Sequence, residues 1–362
     1  SAKDTGGVEN KGVGINHFEC SIDNSNYVIC TSPLGTNSLT EGLHNLRIFS
    51  NDNVGNMGSH PASINWTVDT IPPATSINSA IDGNNRTLDN KANSSSTSIT
   101  FTMIGNDNGG VGVNHIECSL DGGSFAECKS PIEYSSSNIS DGAHIFEARA
   151  VDNVRNKDLS PSTFAWTVDT VPPDANIDSA SDGKGISIDT GGNTSSNSMT
   201  FNFSGIDTGG KEGNGVGINH FECSLDNSNF TLCNSPVHTV KLTDGPHILD
   251  IRAQDNVGNI SPSPSSFPWT VDTKPPTTNI DSATDGTNTT VTNGGNTKST
   301  SIAILFSGND TGVGVGKFEC SLDNSNFTAC TSPVESVNLT DGAHIVQIKA
   351  QDTVGNTGGI PS

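Results

Sequence analysis

A thirteen-residue phrase occurs four times in this chain: FECSIDNSNYVIC from Phe18 to Cys30, IECSLDGGSFAEC from Ile116 to Cys128, FECSLDNSNFTLC from Phe221 to Cys233, and FECSLDNSNFTAC from Phe318 to Cys330. These phrases contain all eight cysteines, and the first cysteines of the four lie 98, 105 and 97 residues apart. A second phrase keeps the same interval: WTVDTIPP at Trp66, WTVDTVPP at Trp166 and WTVDTKPP at Trp269. A period of about one hundred residues is too long for a solenoid unit that shares its neighbour's core, and it matches the size of an independent domain. The 362 residues therefore read as tandem domains joined end to end.

Within each period, short segments alternate apolar and polar residues, and no stretch shows a helical period. Ile99, Phe101 and Met103 share one face, as do Met199, Phe201 and Phe203, and again Ile302, Ile304 and Phe306. His144, Phe146, Ala148 and Ala150 point one way while Glu147 and Arg149 point the other; Phe164, Trp166 and Val168 continue the inward set. Asp, Asn and Gly clusters separate the segments: all three tolerate the left-handed backbone, and Asp and Asn also close turns through their own side chains. About seven such strands per hundred residues predict an all-β chain of tandem immunoglobulin-like β-sandwich domains. The expected boundaries are 1–70 for a first repeat without its opening strands, 71–170 and 171–273 for two complete repeats, and 274–362 for a fourth without its closing strand. Both partial repeats retain the middle strands and cannot complete each other. The expectation is a window of a longer repeat chain or, failing that, a filament completed by neighbouring copies.

The cysteine pairs could be reactive or structural. Cys118 and Cys128 are symmetric about Gly123, so a hairpin turning there brings the two sulfurs to the same face of facing strands. The same holds for Cys20 with Cys30, Cys223 with Cys233, and Cys320 with Cys330. A redox pair is usually closer in sequence and beside a helix start, and a zinc site needs further ligands at matched spacing. Cross-strand disulfides in a non-reducing, extracellular compartment are the expectation. Twelve Asn-x-Ser/Thr sequons agree with that location and are the glycosylation candidates: Asn65, Asn85, Asn93, Asn138, Asn193, Asn202, Asn229, Asn259, Asn288, Asn309, Asn326 and Asn338.

The 17 basic residues against 39 acidic ones leave a formal charge of -22, which repels nucleic acid and anionic membrane surfaces and attracts metal cations. The acids recur at fixed phases. Asp4, Asp107, Asp207 and Asp310 precede a glycine-rich bend; Asp52, Asp152, Asp255 and Asp352 open a DNVGN-type turn; Asp69, Asp169 and Asp272 stand beside the Pro-Pro linker; Asp82, Asp182 and Asp285 open a DG turn. Two readings stand side by side. The junction acids Asp69, Asp169 and Asp272, with Asp52, Asp152 and Asp255, could supply oxygens to calcium, or each could cap its own turn. No other cofactor is implied.

Other recurrent residues read as structural. His44, His144, His247 and His344 occur once per repeat before a strand, which suits a packed or hydrogen-bonded edge residue. Glu19, Glu117, Glu222 and Glu319 recur beside the first cysteine, but paired carboxylates copied into every domain are improbable for a glycosidase. No nucleophile elbow, phosphate-binding glycine motif or metalloprotease motif is present, so no catalytic residue is assigned. No apolar run is long enough to span a bilayer.

Taken together, FECSLD, the second cysteine, SP, DGxH, VGN and WTVDTxPP resemble the tandem immunoglobulin-like repeats of large prokaryotic cell-surface proteins, of the adhesin, filament or sheath type. The resemblance covers essentially the whole chain. It implies a non-enzymatic extracellular structural protein forming a rod, filament or surface-layer-like assembly through contacts with copies of itself. The alternatives are the stalk of a giant adhesin and spacer modules of a secreted polysaccharide-acting enzyme. It also implies calcium between domains, most naturally at Asp69, Asp169 and Asp272.

Overall fold

The computed structural model describes residues 2–4, 12–209 and 215–359, in which every regular element is a strand. The chain divides into two compact units, Ser1–Thr170 and Val171–Ser362.

In the first unit, β1 (Ile15–Ile22), β2 (Val28–Cys30), β3 (Gly42–Asp52) and β4 (Ala62–Val68) form one antiparallel sheet in the order β2-β1-β3-β4. Eight further strands follow: β5 (Ala74–Asp82), β6 (Ala92–Ser94), β7 (Ile99–Asn106), β8 (Val113–Leu120), β9 (Ala126–Cys128), β10 (Ile132–Tyr134), β11 (Gly142–Asp152) and β12 (Ser162–Val168). They form a three-stranded sheet, β10-β7-β5, facing a five-stranded sheet, β6-β12-β11-β8-β9. All the pairings are antiparallel except β12 with β6, where Trp166, Thr167 and Val168 run parallel to Ala92, Asn93 and Ser94. Two sheets with this strand order make an immunoglobulin-like sandwich.

Side chains of period two from the two inner faces fill the space between the sheets. Phe101 of β7 stacks on Phe146 of β11 at 4.1 Å and meets Trp166 edge-on at 5.5 Å. Ile99, Met103, Ala148 and Val168 close the same core, as the alternation in sequence requires.

The second unit repeats the plan. β13 (Asp174–Asp182), β14 (Asn193–Thr194), β15 (Met199–Ile206), β16 (Ile218–Leu225), β17 (Thr231–Cys233), β18 (Val237–Thr239), β19 (Gly245–Asp255) and β20 (Ser265–Val271) build the sheets β13-β15-β18 and β14-β20-β19-β16-β17. Phe201, Phe203, Leu249, Phe267 and Trp269 form their core. β21 (Thr277–Asp285), β22 (Ile302–Asn309), β23 (Val315–Leu322), β24 (Thr328–Cys330), β25 (Val334–Ser336) and β26 (Val346–Asp352) give β21-β22-β25 facing β24-β23-β26. Ile304, Phe306, Cys320 and Ile348 form the buried part of this smaller core.

Four disulfides join Cys20–Cys30, Cys118–Cys128, Cys223–Cys233 and Cys320–Cys330, each with Cα atoms 5.8 Å apart. The hairpin differs in one detail from the symmetric expectation. Its turn closes at Asp121 and Gly122, both at positive φ (51° and 72°), with the Gly123 amide donating to the Leu120 carbonyl. Cys118 therefore pairs with Ala126 and Ile116 with Cys128, so the disulfide crosses the ladder diagonally. Both sulfurs still lie on one face, which a separation of two residues preserves. The hairpin tips lie on the opposite, outer face: the guanidinium of Arg149 sits 4.0 Å over the ring of Phe125, Arg252 sits 4.1 Å over Phe230, and the Lys349 ammonium lies 4.4 Å over Phe327.

Candidate metal centre

Each sandwich ends in loops whose shape is determined by short polar residues. In the first unit, Asp69 follows β4, Asp107 follows β7, and Asp152 closes β11. One oxygen from each of the three lies within 4.8 Å of the others. The bend DNGGVG turns two backbone amides inward: Val111 N donates to Asp69 Oδ2 at 2.9 Å and Gly112 N to Asp107 Oδ2 at 2.7 Å. Asp152 Oδ1 accepts from the amides of Val154 and Asn156, and its Oδ2 accepts from Asn156 Nδ2 at 2.7 Å. The same Asn156 amide group donates to the Asp69 carbonyl at 3.0 Å, tying the end of β4 to the turn after β11. A Cβ at Gly110 would lie 2.5 Å from oxygens of Asp107 and Asp69, so a side chain there would displace these carboxylates.

The second unit repeats this arrangement with Asp272, Asp310 and Asp352. Val313 N donates to Asp272 Oδ2, Gly314 N to Asp310 Oδ2, and Asn356 Nδ2 to both Asp352 Oδ2 and the Asp272 carbonyl. Asp272 and Asp352 are buried. At Gly312, a Cβ would lie 2.1 Å from Asp272 Oδ2.

One atom in each triad has no use within the protein. Asp107 Oδ1 and Asp310 Oδ1 are buried and accept no hydrogen bond. None of the ion pairs among the described residues includes any of the six carboxylates. Three carboxylates converging without a cationic side chain form a hard, oxygen-only donor set of the kind that suits calcium or magnesium rather than zinc or copper.

In sequence, Asp107 and Asp310 stand in the glycine-rich bend with no link to the junction acids. The structure brings Asp69 together with Asp152, and Asp272 with Asp352, and adds those two. Asp52 belongs to no such group among the described residues; its carboxylate serves the amides of Val54 and Asn56 and the Asn56 side chain. Asp169 is buried, and its amide donates to the Ser94 carbonyl. Asp255 is buried and accepts from the amides of Val257, Gly258 and Asn259.

The remaining candidates separate cleanly. Glu117 is held between Arg149 and Lys157, Glu222 pairs with Arg252, and Glu319 pairs with Lys317 and Lys349, while Glu19 lies 3.4 Å from the His17 ring. Burial pushes the Glu117 carboxyl up, but the Lys157 ammonium and Arg149 guanidinium outweigh it and hold it below the usual glutamate value. Among the sequons, Asn93 and Asn259 are half-buried and the other ten asparagines are exposed. Asn259 also commits its Nδ2 to Asp255 Oδ2.

The chain matches no protein-family model and no curated protein. Among solved structures it is similar to a tetra-tandem repeat from the extending region of a large adhesion protein, at 16% identity over 95% of this chain and 90% of that one, with a TM-score of 0.30. It is also similar to a calcium-stabilised adhesin with which an Antarctic bacterium binds ice, at 13% identity over 96% and 88%, with a TM-score of 0.34. The fibronectin(III)-like modules of CbhA from Clostridium thermocellum give 15% identity over 55% and 94%, with a TM-score of 0.29.

Proposed function

We propose that this chain is an extracellular structural spacer, the stalk type of cell-surface repeat protein, stiffened by calcium held in the acidic triads. The observation that carries the reading is the recurrence of one arrangement in both units: three aspartates, two inward amides, one bridging asparagine, and one buried carboxylate oxygen left without a donor. Turn capping alone would require none of these acids to converge. Unit charges at this separation repel by about 3 kcal/mol per pair at an effective dielectric of about 20, which a divalent cation would reverse. Asp69 and Asp152 come from the two sides of a Pro-Pro linker, so a shared ion would fix one repeat against the next, as Asp272 and Asp352 would in the second unit. The disulfide in each repeat supports an oxidising, extracellular setting.

Thermal unfolding of the whole chain in calcium and in chelator tests the ion. At a concentration a hundredfold above Kd, calcium adds about 2.7 kcal/mol to the stability of the binding state. Asp107→Asn with Asp310→Asn removes most of that gain. A melting profile indifferent to chelator excludes ions at these triads.

A second reading is a filament or surface layer of associated copies. Electron microscopy of the native material separates the two: a regular lattice supports assembly, and isolated rods support a stalk. A catalytic domain found on the same polypeptide would instead favour a spacer of a polysaccharide-acting enzyme.

A further inference from the structure

The recurrent histidine of the DGxH phrase makes the same two contacts in every repeat. His44 Nδ1 lies 2.7 Å from Asp23 Oδ2, and its Nε2 lies 2.7 Å from the Thr40 carbonyl. His144 meets Asp121 and the Ser140 carbonyl at 2.8 and 2.7 Å, His247 meets Asp226 and the Thr243 carbonyl at 2.8 Å each, and His344 meets Asp323 and the Thr340 carbonyl at 2.8 and 2.7 Å. Both partners of each ring are acceptors. A neutral imidazole carries one N–H and one lone pair, so it can satisfy only one of them; the imidazolium satisfies both.

The other Asp oxygen accepts the amide of the residue after the histidine, as Asp226 Oδ1 does from Ile248 N at 3.0 Å. The aspartate belongs to the disulfide hairpin turn, the carbonyl to the loop before the long strand, and the histidine to that strand in the first three repeats and to the segment just before it in the fourth, so the ring fastens three segments. In the first three repeats an indole lies against the ring: Trp66, Trp166 and Trp269, with centroids 5.7, 5.2 and 5.5 Å away, a position that favours a cation. The neighbouring loop carboxylates turn elsewhere, Asp141 to Thr170 and Asp244 to Thr273 and Lys274.

We propose that this Asp–His–carbonyl arrangement is a protonation-dependent clamp, closed while the imidazole carries both protons and released when it loses one. The Thr40 carbonyl and the Asp23 carboxylate raise His44 above the ordinary histidine value, and the Thr340 carbonyl and Asp323 do the same for His344. Burial pushes His247 down, but the Thr243 carbonyl and Asp226 outweigh it and the net direction is upward. A folded value above the unfolded one gives stability that is fully present below about pH 6.5 and is lost as pH rises through the folded value. The clamp therefore holds in mildly acidic surroundings and opens as pH rises through the folded value.

The test is a nitrogen-resolved NMR titration of the four recurrent histidines, among the nine of the full, 15N-labelled chain. His44, His247 and His344 should titrate with midpoints above that of free histidine, with protons on both ring nitrogens below those midpoints. Asp226→Asn lowers the His247 midpoint by at least one pH unit, a tenfold change in its protonation equilibrium, and leaves His44 and His344 unmoved. A spectrum of the unsubstituted chain with these midpoints at or below that of free histidine overturns the clamp. That spectrum decides the question even if the variant does not fold.

Discussion

Trp66 and Trp166 stand at the same place in the same phrase, and each lies opposite a histidine on the neighbouring strand. They differ in what lies across the sandwich. Trp166 is 2% exposed beneath Phe101 of the second sheet, whereas Trp66 is half-buried on a sheet that no second sheet covers among the described residues, and its neighbour Ile64 is 59% exposed. Strand pairing, the disulfide and the histidine contacts are nevertheless the same in both. Local pairing is thus a property of each hairpin, while burial is a property of two sheets.

Substitution at the two tryptophans is the strongest way to break this comparison. Trp166→Ala should cost the second repeat about 3 to 5 kcal/mol, and Trp66→Ala should cost the first repeat less than about half as much, read by hydrogen exchange resolved along the whole chain. Equal losses would mean that the first sheet is covered in solution. The disulfides sharpen the same contrast. Replacing Cys20 and Cys30 by serine, or Cys118 and Cys128, should cost about 2 to 3 kcal/mol in either repeat, because a ten-residue span loses the same loop entropy with or without an opposing sheet. A large difference in denaturant midpoint shift between the two pairs would show that the core, and not the span, determines the contribution.

Acid should separate the repeats in a third way. The second and third repeats contain the DG turn that the first lacks among its described residues, and in each a buried aspartate anchors it. Burial raises Asp82, but the Arg86 and Asn84 amides and the Ser94 hydroxyl outweigh it, and Asp182 is lowered in the same way through Ile186, Thr194 and Lys184. A depressed folded value gives stability that is present above the ordinary 3.8 and lost as pH falls through the lower folded value. Exchange protection around Asp82 and Asp182 should therefore weaken below about pH 4 and persist above it. The smallest effect belongs to the outer face: Arg149→Met removes a partly buried ion pair and a ring contact worth about 1 kcal/mol together, while the first repeat places Phe49 there against Tyr27 and has nothing comparable to lose.

Much of this fold is legible in the sequence because its signals are local. Alternation at Phe101, Phe146 and Trp166 places each residue on an inner face, and a ten-residue cysteine interval across a turn leaves little freedom of pairing. The turn position was less legible, since the slip from Gly123 to Asp121–Gly122 depends on two residues adopting positive φ. Asp107 shows the deeper limit. Its phase is plain, but convergence with Asp69 and Asp152 is decided by where three loops meet after the sheets have packed, and no spacing encodes that. The histidines are legible as bonded edge residues; that both partners are acceptors depends on how the hairpin turn and the preceding loop pack against the ring.

The parallel contact between β12 and β6 bears on how such a chain would respond to pulling. Tension entering through the Pro-Pro segment after Thr170 runs along β12, whose hydrogen bonds to Ala92–Ser94 lie across the direction of pull. Parallel neighbours loaded this way must slide, and several bonds must yield together, whereas a hairpin pulled open at its end releases them one by one. β14 and β20 stand in the same relation in the third repeat. A two- or three-residue strand that adds almost nothing to the core would thus act as a latch, giving the sandwich resistance to force out of proportion to its length.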